Sequence, residues 1–269
     1  MNRTKIEWCT HTWNPVTGCF HGCTYCYARR IAERFSKGGF EAKEIGNLSD
    51  SEVLLTTIHR TLERPFMVIQ NGKNVVDPYP LGFSPTFHHY RLDEPAKMKK
   101  PARIFVVSMG DLFGDWVPTI WIKKVLESCV AAPQHKYLFL TKNPIRYDRL
   151  IDMGLLPRLD NFWYGTTVTD LSKPMHWNDR CHTFISVEPM LAPWPKGTPS
   201  EFPHRLPEWV IVGAETGNRK GKIVPEKWWI ENLVEQCRKN GWKVFMKDSL
   251  IPIIGEENMV RDFPDGLRL

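Results

Sequence analysis

The sequence predicts an α/β fold made of repeated strand–helix units, because two kinds of segment alternate along its second half. Short, nearly continuous apolar runs are typical of strands that are buried on both faces, as in a parallel sheet. Amphipathic helical patterns separate several of these runs. A complete or partial (β/α) barrel fits this order best, and a doubly wound open sheet is the alternative.

Six strands are predicted in this half of the chain, and a seventh is expected before Cys19. Each run is six or seven residues long and rich in Val, Ile, Phe, Trp and Tyr, which favour strands. The runs cover residues 103–109, 136–142, 162–168, 183–189, 209–215 and 242–247.

Two of the predicted helices carry a cysteine in an apolar stripe. Residues 118–133 place Val125 and Cys129 four apart, and residues 225–241 repeat this pattern around Cys237. Since isolated cysteines are often buried as small apolar side chains, both are interpreted as core residues.

The first helix is predicted in "CYARRIAERFSK", where Tyr27, Ile31 and Phe35 lie on one face and three arginines lie largely on the other. Residues 38–100 contain several prolines and glycines, with a helical stretch around "SDSEVLLTTIHRTLER". We therefore expect residues 1–269 to form a single domain, with residues 38–100 as an irregular covering insertion.

Composition narrows the class of protein. The chain has 269 residues, a net charge of +6 and seven cysteines. An odd number of cysteines argues against a disulfide framework. No apolar run is long enough to span a bilayer, and the first residues lack the core of a signal peptide, so a cytoplasmic location without membrane attachment is expected. The positive charge favours a polyanionic partner.

Three of the cysteines are crowded into "TGCFHGCTYCYARR", as Cys19, Cys23 and Cys26. They could be isolated buried thiols. They could bind zinc, for which Cys9 or a nearby histidine would have to be the fourth ligand. They could also hold an iron–sulfur cluster through three thiolates, which leaves one iron open to a small molecule.

Polar residues follow the apolar part of every predicted strand. Since the catalytic face of (β/α) barrels is built from the carboxyl ends of the strands, these residues predict one shared polar cavity. They are Ser108, Asp111, Thr141, Lys142, Thr166, Thr167, Ser186, Glu188, Glu215, Lys247 and Asp248.

The spacing C-x3-C-x2-C, with the aromatic Tyr25 directly before Cys26, resembles the signature of the radical SAM superfamily. The segments "EWCTHTWNPVTGC", "RLDEPAKMKKPARIFVVSMGDLFGDWVP", "FLTKNP", "ISVEPML" and "WVIVGAETG" more closely resemble phage-encoded radical-SAM-like proteins of uncharacterised function. The cysteine spacing is also distantly similar to that of spore photoproduct lyase.

This resemblance implies a partial (β/α)6-type barrel and a 4Fe–4S cluster bound by Cys19, Cys23 and Cys26. It implies that S-adenosylmethionine chelates the fourth iron and is cleaved by one electron to a 5′-deoxyadenosyl radical, which abstracts hydrogen from the substrate. A reducing partner such as flavodoxin or ferredoxin would supply the electron.

The resemblance also implies residue roles. Tyr25 would lie against the adenine, Asp111 would receive the methionine amino group and Lys142 would neutralise the carboxylate. The catalytic candidates near the substrate are Glu215, Lys247 and Cys181. The full set of cofactor-binding candidates is Tyr25, Ser108, Gly110, Asp111, Lys142, Thr166, Thr167, Ser186 and Glu188.

The substrate is expected to be DNA, RNA or a nucleotide. The basic run "KMKKPAR" at residues 97–103 follows the aromatic-rich "FHHYR", and the first helix adds Arg29, Arg30 and Arg34. This mixture suits contacts to phosphates and bases. The alternative function is a non-catalytic zinc or iron–sulfur protein with a structural or DNA-binding role.

Overall fold

The computed structural model describes residues 1–37, 60–170, 181–195 and 207–269. Thirteen strands lie within these ranges. They are β1 (Asn2–Arg3), β2 (His11–Trp13), β3 (Val16–Thr17), β4 (Thr61–Leu62), β5 (Met67–Gln70), β6 (Lys73–Val76), β7 (Thr86–His88), β8 (Arg103–Val106), β9 (Lys136–Thr141), β10 (Phe162–Thr167), β11 (His182–Val187), β12 (Trp209–Val212) and β13 (Lys243–Met246).

Eight strands form one sheet in the order β1-β2-β8-β9-β10-β11-β12-β13. β1 is antiparallel to β2, and every other neighbouring pair is parallel. The six predicted apolar strands and the predicted strand before Cys19 are thereby confirmed. Their register sets the carboxyl ends level, since Thr166 pairs with Thr141 and Thr167 pairs with Ser186.

The predicted partial (β/α)6-type barrel is wrong, because the large sheet is open. No pairing among the described residues joins β13 to β1 or β2. Both edges are instead covered by segments from the two ends of the chain. β1 pairs with the outer edge of β2, while residues 260–262 exchange backbone hydrogen bonds with Val244 and Met246 of β13. Since edge strands expose unpaired backbone groups, this pairing removes the need for closure.

Six α-helices lie within the described residues. They are α1 (Tyr27–Phe35), α2 (Glu94–Lys97), α3 (Thr119–Val130), α4 (Ile145–Asp152), α5 (Lys227–Lys239) and α6 (Ile251–Ile254). Three of them, α3, α4 and α5, pack on one face of the sheet. Side chains of α3 and α4 share one apolar cluster with β8, β9 and β10, and side chains of α5 share another with β11, β12 and β13. Cys129 and Cys237 are buried in these clusters, as predicted.

The other face of the sheet is filled by aromatic residues and by both ends of the chain. Trp8 lies across this face, with its ring centroid 4.7 Å from Phe105 and 6.4 Å from Trp209. Leu138 and Leu267 belong to the same cluster. The carboxyl ends of the strands extend beyond this apolar floor, which leaves room for a cavity above it.

The first helix is confirmed, but its buried face differs from the apolar stripe in the sequence. Ala28 and Ala32 are buried, whereas Tyr27, Ile31 and Phe35 are exposed. Small side chains allow the helix backbone to approach its neighbours closely, so the alanines take the inner position.

The predicted insertion, residues 38–100, is described from residue 60 onward. Its first part lies outside the described residues. This part covers residues 38–59 and includes most of the predicted helical stretch. The remainder forms a three-stranded sheet β3-β7-β4 and the hairpin β5-β6. β3 belongs to the segment before the cysteines, so this small sheet ties the insertion to the cysteine loop. The single-domain assignment stays a prediction.

None of the described helices is long and apolar enough to cross a membrane.

Leu138 should be a determinant of stability, because it is fully buried on a central strand. Replacing Leu138 with Ala should lower the free energy of unfolding by about 2–5 kcal/mol through lost burial and a residual cavity. Leu159→Ala is the matched control, since this leucine is 44% exposed, and it should cost less than about 0.5 kcal/mol. Equal shifts in urea unfolding of the two variants would contradict this description of the core.

Candidate functional site

A cavity of about 410 Å³ lies at the carboxyl ends of the parallel strands. Thirteen of the fifteen candidate site residues from the sequence line it. They are Cys19, Cys23, Tyr25, Cys26, Ser108, Gly110, Asp111, Lys142, Thr167, Ser186, Glu188, Glu215 and Lys247. Most of the polar residues at the predicted strand ends therefore share one cavity, whereas Thr166 and Asp248 do not line it.

The alternation of side chains along a strand explains which candidate on β10 reaches the cavity. Trp163 and Thr167 point to the aromatic face, while Tyr164 and Thr166 point to the helices. Thr166 is therefore buried but does not line the cavity. Cys181 also lies outside it and packs against the apolar cluster beneath α3 and α4.

The cysteine loop is attached to the end of β8 by a close approach of two glycines. Gly18 and Gly110 form a parallel bridge, and the Gly18 N–H donates to the Met109 carbonyl at 2.8 Å. Gly18 has φ +88°, and a Cβ there would lie 2.3 Å from the Ser84 carbonyl oxygen. A Cβ on Gly110 would lie 2.7 Å from the Gly18 oxygen. A side chain on Gly110 would separate the loop from the end of β8, and one on Gly18 would clash with the Ser84 backbone of the insertion.

Backbone N–H groups point at two of the three thiols. Cys26 is the N-cap of α1, and its Sγ accepts from the Arg29 N–H at 3.3 Å. The Cys19 Sγ accepts from the His21 N–H at 3.5 Å. Burial raises the pKa of Cys19 to about 12, with further contributions from nearby Asp111 and the other two cysteines. The free thiol is thus protonated at neutral pH, and a bound cation would be needed to hold it as a thiolate.

Asp111 is buried beneath the cysteine loop and accepts four hydrogen bonds. Its Oδ1 accepts from the Thr141 hydroxyl at 2.7 Å and the Phe113 N–H at 3.0 Å. Its Oδ2 accepts from the His21 ring at 2.7 Å and the Lys142 N–H at 3.0 Å. A ligand amino group would have to displace one of these donors, because they fill the acceptor positions of the carboxylate.

The electrostatics of Asp111 favour its charged form. Burial by itself would raise the pKa of this carboxyl, but the hydrogen bonds from His21, Lys142 and Thr141 outweigh burial and lower it. Asp111 is therefore a fixed negative charge that joins the cysteine loop to β8 and β9.

The turn after β8 is positioned by a residue that the sequence did not single out. The Asn14 Oδ1 accepts from the Ser108 hydroxyl at 3.2 Å and from the Met109 N–H at 2.9 Å. Val107 begins this turn with φ +61°, a conformation that costs a β-branched residue on the order of 1–3 kcal/mol. The asparagine thus holds a strained turn, and no pattern in the sequence marks it.

Three charged side chains meet after the end of β13, and two of them, Lys247 and Glu188, line the cavity. The Lys247 ammonium forms an ion pair with Glu188 and lies 3.8 Å from Glu7 Oε2. Burial alone would lower the pKa of Lys247, but the two carboxylates outweigh burial and raise it. Glu7 was not predicted, because it lies in an irregular segment that only the folded chain brings beside β13.

Glu215 also forms an ion pair, with Arg219. Arg219 donates Nε to Glu215 Oε1 at 2.7 Å and Nη2 to Oε2 at 2.8 Å. This bidentate pair is the main reason that the pKa of Glu215 is lowered. The cavity therefore presents Glu215 as one half of an ion pair on its rim.

The remaining walls are mostly apolar. Trp8, Phe105 and Leu140 form the floor, and Phe83 and Ala28 lie beneath the cysteine loop. Such walls exclude water and strengthen the electrostatic interactions of the few polar groups.

Two tyrosines beside the cysteines also line the cavity, Tyr25 on the cysteine loop and Tyr27 at the start of α1. Lys142 Nζ lies 5.9 Å from the centroid of the Tyr25 ring. Tyr27 donates its hydroxyl to the Ser108 carbonyl at 2.7 Å. The Tyr27 bond links the start of α1, directly after the cysteine loop, to the turn after β8.

Comparison with known families covers nearly the whole chain. The family model described as "Protein of unknown function (DUF5131)" matches residues 3–250. The chain belongs to this family. No curated protein and no solved structure matches it. Every residue that lines the cavity lies within the matched range, so the cavity is part of the DUF5131 region.

The DUF5131 cavity contains donors of the kind that an iron–sulfur cluster needs. Within the described ranges, no three His, Cys, Asp or Glu side chains are arranged to hold one metal ion. A single zinc ion requires ligands that converge on one point, whereas each thiolate of a cubane cluster binds a different iron. The three free thiols of this loop are the residues that could hold either group.

Asp111→Asn should weaken the attachment of the cysteine loop. We expect a loss of about 2–4 kcal/mol in the free energy of unfolding at pH 7, because several donors lose a charged acceptor. Asp115→Asn, at a carboxylate that is 64% exposed, is the control and should cost less than about 1 kcal/mol.

The loss caused by Asp111→Asn should depend on pH. A carboxyl with a lowered folded-state pKa stabilises the protein above its unfolded pKa of about 4 and loses that contribution as the pH falls through the folded value. The difference between wild type and variant should therefore shrink below about pH 4 in urea titrations. A difference that is constant with pH would argue against the buried charge.

Proposed function

We propose that this chain is a radical SAM enzyme that acts on a nucleic acid or a nucleotide. One observation carries the proposal: three free cysteines on one loop line the same cavity as the polar ends of several parallel strands. Polar groups at strand ends are where α/β enzymes place their ligands. Thiols at the same position add a site for a redox metal centre.

In this proposal Cys19, Cys23 and Cys26 hold a 4Fe–4S cluster, and the cavity above them takes S-adenosylmethionine. The bound group would supply a one-electron cleavage of the cofactor that yields a hydrogen-abstracting radical. The backbone N–H groups of His21 and Arg29 are placed to stabilise two of the thiolates.

The other residues of the cavity would position the cofactor and exclude water. Tyr25 and the apolar floor offer surfaces for an adenine ring, while Lys142 offers a positive charge for a carboxylate. Glu188 can accept from ribose hydroxyls while it remains paired with Lys247. Asp111 would act through His21 and the loop, as a positioning residue.

The three cysteines should be needed for a cluster. Protein reconstituted anaerobically with iron and sulfide should hold about four iron atoms and four sulfides per chain and absorb visible light. The Cys19, Cys23 and Cys26 triple Ala variant should hold almost none. Cys237→Ala is the matched control, because this thiol is buried in the α5 cluster, and it should keep the cluster.

Cofactor cleavage tests the reaction itself. Reduced wild-type protein should convert S-adenosylmethionine to 5′-deoxyadenosine, and the triple variant should not. One tightly bound zinc ion without visible absorption would instead support the non-catalytic metal-binding function. A cluster that never cleaves the cofactor, even with nucleic acid present, would also overturn the enzyme proposal.

A further inference from the structure

A positively charged surface borders the cavity, formed by α1 and by residues 215–222 after β12. We call Arg30, Arg34, Arg219, Lys220 and Lys222 the cationic rim. α1 carries three arginines against one glutamate, and residues 215–222 carry three cations against one glutamate. These two short segments therefore hold four of the six net positive charges of the chain.

The two halves of the cationic rim meet each other. The Arg30 guanidinium lies 3.5 Å from the position that a Cβ on Gly217 would take, and the Lys222 ammonium donates to the Gly217 carbonyl at 3.0 Å. Glu215 lines the cavity, and Lys222 and Arg30 contribute, after Arg219, to lowering its pKa. The cationic rim is thus continuous with the cavity wall.

Most of this charge is available to a partner. Arg30, Arg34, Lys220 and Lys222 are exposed. Within the described part of the chain, no carboxylate forms an ion pair with Arg30, Arg34 or Lys220. The two acidic residues of these segments pair within them, since Glu33 lies 3.9 Å from Arg29 and Glu215 is paired with Arg219. Of the rim cations, Arg219 is therefore the one whose charge is already compensated.

Exposed apolar side chains lie on α1 and shortly after residues 215–222 in the sequence. Ile31 and Phe35 are exposed on α1, and the Arg34 guanidinium lies 5.5 Å from the centroid of the Phe35 ring. Trp228, in the first turn of α5 directly after the rim, is 45% exposed. Cations that follow a backbone, with aromatic faces between them, are the combination that binds single-stranded nucleic acid.

We propose that the cationic rim binds the backbone of a single-stranded nucleic acid and presents one of its bases to the cavity. This inference deepens the proposed function and rests on it for the chemistry, although the binding itself needs no cluster. A base within a duplex cannot enter a recessed cavity without leaving the stack, which favours an unpaired strand. The polymer is favoured over a free nucleotide because the cations extend over two separate elements.

Fluorescence anisotropy with a labelled single strand of about 20 nucleotides tests the cationic rim. The rim variant combines Arg30→Gln, Lys220→Gln and Lys222→Gln and leaves Arg219 in place, because Arg219 holds Glu215. It should raise Kd at least tenfold. It should also reduce the slope of log K against log salt by up to about two, as expected for three lost phosphate contacts.

The matched control combines Arg238→Gln, Lys239→Gln and Lys243→Gln, which removes the same charge from exposed positions at the end of α5 and the start of β13. It should change Kd by less than threefold. Circular dichroism would verify that both variants are folded. Equal weakening by the two variants, or none by the rim variant, would overturn the proposal. So would equal or tighter binding of an acidic peptide of the same charge, or of a duplex.

The two proposals can fail separately. The triple Ala variant of the three cysteines should still bind the strand with unchanged Kd. If the wild type binds the strand but never holds a cluster, the binding proposal stands and the enzyme proposal is overturned. If the wild type cleaves the cofactor but does not bind the strand, the enzyme proposal stands and the binding proposal is overturned.

Discussion

The candidate site depends on one buried carboxylate. Asp111 accepts from His21 of the cysteine loop, from Thr141 and Lys142 at the end of β9, and from Phe113 in its own turn. A buried charge is costly unless donors surround it, and here the donors come from separate parts of the chain. The carboxylate therefore aligns the loop and two strand ends at once, and the Gly18–Gly110 contact lets them approach.

The parallel register extends this arrangement across the sheet. Because neighbouring strands are paired level, their carboxyl ends open at one edge, and alternate side chains there face the same side. The apolar floor around Trp8 keeps the lower part of this face dry. Lys247 and Glu215 line the cavity as members of ion pairs, Lys247 with Glu188 and Glu215 with Arg219, so their charges are already compensated.

Much of this could be predicted from the sequence, and the exceptions have physical causes. The strands were predictable because strands buried on both faces must be apolar throughout, and the polar residues at their ends mark the cavity edge. The barrel was predicted wrongly, because the sheet is open and its edges are paired by β1 and by residues 260–262. These segments are too short to carry a periodic signal in the sequence. The apolar stripe of α1 in the sequence consists of Tyr27, Ile31 and Phe35. The buried residues are instead Ala28 and Ala32, because their small side chains allow close packing.

By itself, the sequence determined the strand and helix types, the cysteine spacing and most of the residues that line the cavity. These properties follow from local patterns, because the alternation of side chains and the apolar runs are set by neighbours in the chain. Only the tertiary structure decided the open sheet, the engagement of Asp111 and Glu215, and the roles of Glu7 and Asn14. Each of those is a contact between residues far apart in sequence, or across a turn, whose partners become neighbours only when the chain has folded.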